Sequence, residues 1–173
     1  MEGKTPLSRD GHLERMWFDG IHVTNNLMEV LNQWRRTNCW VWATMGILIK
    51  YWIQFDLATF QDVKAISINV IEKLFVESGL VDKFIPINTP AIVDRWLAKW
   101  EWLLTKTSKW NFTNPPNVTF DWTSIHFFII CEDCWDKWKC LNSWGKEWWE
   151  DGFFYIKKSD FKYLFTPRRV IIK

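Results

Sequence analysis

The chain has 173 residues, enough for one domain with its own core, so a single domain is expected. Lys and Arg number 22 against 20 Asp and Glu, a net charge of +2 with no block of like charge, which argues against a nucleic-acid partner. Residues 1–20 are polar and charged, without the apolar core of a secretory signal, and the longest apolar run, Cys39 to Ile49, is well short of a membrane span. A soluble, monomeric, cytoplasmic protein is the expectation.

In chain order, residues 1–29 carry no clean period and read as a wrapping arm. From Cys39 to about Tyr51 the chain is apolar nearly all round, the pattern of a helix buried at a domain centre, with Asn38 placed to cap it. A second helix is predicted from Thr59, where Thr-Phe-Gln-Asp suggests a capping box, to about Ser78, with Gly79 as its stop. Thr89 and Pro90 predict the start of a third, running to about Trp100. Beyond it, residues 103–110, 123–131, 138–141, 152–158 and 169–173 are rich in aromatic and β-branched residues and read as short strands, with a loop at Asn114 to Asn117. Helices first and strands second predict an α+β domain of two lobes, a helical lobe over about 30–101 and a β lobe over about 102–173.

Four cysteines, Cys39, Cys131, Cys134 and Cys140, are too few for a disulfide scaffold. Cys131, Cys134 and Cys140 lack the second pair or nearby His that zinc needs, so they are expected to be buried thiols on neighbouring strands, and neither metal nor cofactor is expected. Asn111 and Asn117 match the glycosylation pattern but read as part of a polar loop.

Four residue types needed for thiol acyl transfer occur in working order. Gln33 lies six positions before Cys39, an aromatic residue follows the cysteine, and Asn142 lies sixteen positions after His126 and opens Asn142-Ser143-Trp144-Gly145. At the first turn of a helix, unpaired N–H groups and the positive dipole end favour the thiolate that attack on an amide requires. His126 can take the thiol proton and return it to the leaving amine, and the side-chain oxygen of Asn142 can hold the other ring nitrogen. Gln33 and the backbone N–H of Cys39 are the candidate donors to the oxyanion.

This layout, with Trp138-Lys-Cys-Leu-Asn-Ser-Trp-Gly145, Trp148 and Gly152-Phe-Phe-Tyr-Ile156, resembles the papain-like cysteine peptidases. The resemblance implies a two-lobed papain-like fold and a thiol protease: Cys39 nucleophile, His126 general acid and base, Asn142 orienter, Gln33 oxyanion donor, with Trp40 and Trp144 at the substrate. It covers residues 32–45 and 124–158; residues 50–120 match nothing residue by residue. Arg36 replaces the structural cysteine of the family signature, and no later Cys or Gly-Gly strip stands where its disulfide and the substrate-binding wall would be, so specificity does not carry over. The implied partner is a peptide or protein substrate; a non-peptide amide, or a catalytically dead binding relative, are the alternatives.

Tryptophans number fifteen against seven glycines. Trp34 and Trp149 stand where the resembling motifs carry Gly, at sites of close backbone approach and tight turning. The balance suggests a gene whose UGA codons are decoded as glycine, with Trp135 and either Trp100 or Trp102 as further candidates; a tryptophan-rich variant with reshaped turns is the alternative.

Overall fold

Helix α1 (Cys39–Lys50) is buried from Trp40 through Lys50, which a segment without a polar face requires. The computed structural model describes residues 17–18, 21–22, 38–64, 67–107, 126–145, 148, 150–161 and 165–173. Gln33, Trp34, Trp149, the loop at 114–117, Asn111 and Asn117 lie outside the described residues, as do strand residues 108–110 and 123–125 and most of the arm. Within the arm, β1 (Trp17–Phe18) and β2 (Ile21–His22) pair antiparallel.

Asn38 sits at the N-cap of α1, and its carbonyl accepts from the Val41 and Trp42 N–H groups at 3.0 and 3.3 Å. Its side chain makes no cap bond. Instead Nδ2 donates to the carbonyls of Gln61 and Val63 at 2.9 and 2.8 Å. This accounts for a departure from the sequence reading. A helix running from Thr59 to Ser78 would need those carbonyls for its own ladder, and the chain instead forms two helices. The short α2 (Leu57–Phe60) is capped by Asp56, which accepts from the Ala58 N–H and the Thr59 hydroxyl. The longer α3 (Ile68–Glu77) is capped by Ser67, whose Oγ accepts from the Val70 N–H. Thr59 is therefore not the cap. Gly79 does end α3, with φ of +80°. Helix α4 (Pro90–Leu97) begins as predicted, the Thr89 hydroxyl accepting from the Ile92 N–H, and stops three residues before Trp100.

The other described strands form an antiparallel six-stranded sheet in the order β3-β8-β4-β5-β6-β7. Its members are β3 (Val81–Pro86), β4 (Leu103–Thr107), β5 (His126–Cys134), β6 (Lys137–Leu141), β7 (Phe153–Lys157) and β8 (Phe165–Ile172). The sequence reading missed β3. Only Val81 in it is buried, so this edge strand shows no alternation, and it joins the sheet by pairing with the C-terminal β8. The helical part of the chain thus contributes a strand to the sheet. An ion pair at 2.7 Å between Arg168 of β8 and Glu72 of α3 ties the same edge to a helix.

Both faces of the sheet are covered. Leu104, Phe127, Ile129, Leu141 and Val170 pack with α1 and α3; Leu103, Phe128, Ile130, Cys140 and Phe154 pack on the other side with Val93 and Leu97 of α4. Adjacent residues of β5 thus serve opposite faces, which is why it reads His-Phe-Phe-Ile-Ile and not as an alternating strand. β5, against which α1 lies, runs between β4 and β6.

Asn38→Ala should lower stability by about 2 kcal/mol, since two half-buried carbonyls lose their donor. Urea unfolding checks this; a loss under about 0.5 kcal/mol would mean that water replaces the amide without cost.

Candidate active site

Cys39 is the first residue of α1, half-buried, with its sulfur within reach of three backbone N–H groups: those of Phe127, Trp40 and Cys39 itself. The Phe127 amide belongs to the residue directly after His126, so the start of α1 meets the start of β5. Burial raises the thiol above its ordinary value, and the three amides only offset part of that rise. The lowering expected at a helix start is opposed by removal of the sulfur from water, which pushes the thiol the other way.

His126 opens β5 and is buried. The β5–β6 hairpin explains why sixteen positions separate it from Asn142. The strands are joined by the two-residue turn Trp135–Asp136, and their register pairs Ile129 with Leu141. Continued by one residue, that register sets Asn142 opposite Phe128 and diagonal to His126, a separation that long side chains span. His126 Nε2 and Asn142 Oδ1 are 2.8 Å apart. The same oxygen accepts from the Ser143 N–H at 2.8 Å, which fixes the orientation of the amide. An amide oxygen can only accept, so Nε2 carries the proton and, in the neutral ring, Nδ1 carries the lone pair.

Asn142 is itself held. Its N–H donates to the Gly152 carbonyl at 3.0 Å, closing a loop in which the Trp148 N–H donates to Gly145 O and the Gly152 N–H to Trp148 O. Gly145 and Gly152 have φ of +84° and +87°, values that favour glycine. Trp144 lies 5.5 Å from the imidazole, centroid to centroid, and is braced edge-on by Trp148 at 5.7 Å. Phe128 stacks with the imidazole at 6.4 Å, centroid to centroid. Burial pushes the imidazole down to about 4 from an ordinary 6.5, against an opposing pull from Asn142.

Of the residues singled out in the sequence, the structure brings His126, Asn142 and Trp144 into contact and sets Cys39 against the amide after His126. Gln33 lies outside the described residues. Trp40 is corrected: it is 1% exposed, packed against Phe127 at 4.1 Å and Phe84 at 6.1 Å, and so belongs to the core and not to a substrate surface. Its position one residue past the helix start turns it inward. Cys131 and Cys134 on β5 and Cys140 on β6 are free thiols on neighbouring strands. Two groups were missed, the N–H of Phe127 and the N–H of Ser143. Both are backbone donors, which no residue type signals.

The arrangement sets a thiol at a helix start against the amide that follows a buried imidazole of defined tautomer. The fold is similar to that of a digestive procathepsin L2 proteinase from the larval midgut of Tenebrio molitor, with a TM-score of 0.54 and 12% identity over 98% of this chain and 79% of that one. No family model and no curated protein matches the sequence.

The His126 value carries a sign for stability. Because the folded value lies below the unfolded one, the neutral ring stabilises the fold in full above about pH 6.5, and this is lost as pH falls toward about 4. The gap corresponds to about 3 kcal/mol. Between about pH 7 and about pH 4 the urea midpoint of the parent chain should therefore fall further than that of His126→Gln; parallel curves would refute it.

Proposed function

We propose that the chain is a papain-like cysteine peptidase that cleaves peptide bonds through an acyl-enzyme, as a monomer. The observation that carries the reading is the 2.8 Å contact of His126 Nε2 with Asn142 Oδ1, together with a thiol lying against the amide that follows His126. The likeness in fold to a procathepsin supports it at the level of architecture.

In the proposed mechanism the resting pair is a neutral thiol and a neutral imidazole, since burial raises the one and lowers the other. Nδ1 of His126 removes the thiol proton as the sulfur attacks the carbonyl carbon, and the carbonyl π electrons move to oxygen. The oxyanion is met by the N–H of Cys39, with Gln33 as the second donor. Its collapse breaks the C–N bond, and the imidazolium returns the proton to the departing amine. Water, deprotonated by the same ring, then hydrolyses the thioester and frees the thiol. Asn142 holds the ring throughout, and Trp144 shields the Nε2 contact from water. The cleft would lie between the start of α1 and the strand ends that carry His126 and Asn142, with the helical and β portions as its two walls.

A silent, peptide-binding relative is the second reading, since burial of the thiol and of the imidazole disfavours the more reactive thiolate–imidazolium pair. Labelling with a thiol-directed peptidyl probe separates the two.

Cys39→Ala should abolish both labelling and peptide cleavage with the fold intact by circular dichroism. His126→Ala should reduce kcat/KM by about 10²–10⁴-fold, and Asn142→Ala by less, since it exchanges no proton. Turnover surviving in Cys39→Ala would remove that residue from its role.

A further inference from the structure

We infer that Trp52, Trp100 and Trp135 occupy positions at which the polypeptide made in its own cell carries glycine, their codons being UGA decoded as glycine. The inference rests on backbone geometry and is independent of the proposed activity.

Seven described residues have positive φ: three glycines, Asp151, and these three tryptophans at +61°, +63° and +65°. Asp visits this region through its short polar side chain, whereas a bulky side chain there is an outlier. Each tryptophan also sits at a place with a glycine reason. At the end of α1, the Trp52 N–H donates to Ile49 O and the Ile53 N–H to Leu48 O, both at 3.0 Å. At the end of α4, the Trp100 N–H donates to Leu97 O at 2.9 Å and the Glu101 N–H to Trp96 O at 3.2 Å. This pair of bonds is the Schellman motif, whose left-handed residue is usually glycine. The end of α3 supplies an internal control, because there the corresponding residue is Gly79, with φ of +80° and its N–H on Val76 O. Trp135 is the first residue of the two-residue turn between β5 and β6. Its φ is positive and that of Asp136 is not, the pattern of a type II′ turn, which takes glycine first.

Packing does not explain the three side chains. They are 36%, 45% and 94% exposed, whereas Trp40 and Trp138 are buried and have ordinary φ. Trp102 is excluded on the same grounds: its φ is not positive, and it is half-buried with Lys50 Nζ 4.9 Å from its ring centroid. Trp34 and Trp149, singled out by motif position, are a separate set reached by separate reasoning. Two of the three turns close elements that present the site: the helix that starts at Cys39 and the hairpin that sets the register of His126 and Asn142.

The gene and the native protein test this. UGA is expected at codons 52, 100 and 135 and UGG at 40, 102 and 138; UGG at the first three overturns the inference. UGA can also be read as tryptophan, so peptides of the natively made protein must show glycine masses at those positions, and tryptophan masses overturn it. A synthetic W52G/W100G/W135G chain should melt about 6–12 °C above the tryptophan form, with Trp102→Gly giving no rise. Equal or lower melting of the triple variant counts against the geometry on which the inference stands.

Discussion

Burial of α1 against the sheet is the constraint on which the rest depends. A twelve-residue helix without a polar face must be surrounded, and it is, by Leu104, Phe127, Ile129 and Leu141 on one side and by α3 with Phe60 on the other. This fixes the direction of the helix, and with it the place where the helix begins. Cys39 is brought to the first residues of β5 because the helix behind it has nowhere else to go. Asn38 secures that beginning from the other side, by holding the carbonyls of Gln61 and Val63 that would otherwise continue a helix.

The same burial sets the electrostatics. Packing that excludes water raises the Cys39 thiol and lowers the His126 imidazole, so both are held in their neutral forms. Backbone amides resist this at the sulfur, and Asn142 resists it at the ring, but neither outweighs desolvation. A neutral pair needs no counter-charge and therefore suits a closed interior. In the proposed mechanism, charge separates only when a substrate carbonyl is present to accept the sulfur's electrons.

The second constraint is closure of the turns. The His126–Asn142 contact depends on the register of a hairpin, and on a loop whose two ends meet at the Asn142 N–H and the Gly152 carbonyl. Where that loop turns left-handed it uses Gly145, Asp151 and Gly152, two glycines and a residue with a short polar side chain. The helix ends at 52 and 100 and the hairpin tip at 135 demand the same conformation yet carry the largest side chain, an inconsistency between local chemistry and global fold that natural sequences rarely contain.

The sequence by itself determined the central helix, the start of α4, the end of α3 at Gly79 and four of the six sheet strands to within a few residues. Each has a local cause, such as a fully apolar run, a Thr-Pro start, a glycine stop or a cluster of β-branched and aromatic residues. It also set out Cys39, His126, Asn142 and Trp144 in order, because strand–turn–strand spacing is written in the chain. Tertiary structure alone decided the rest. The break between α2 and α3 comes from an Asn38 side chain more than twenty residues away. β3 exists because β8, at the far end of the chain, offers it an edge, and β8 itself begins four residues earlier than its composition suggests because it is paired on both sides. Trp40 turned inward because the sheet lies there, and the protonation of the thiol and imidazole follows from how much water the surrounding residues exclude. None of these is encoded by a residue type or a period; they are long-range pairings and burial, which exist only once the chain has folded.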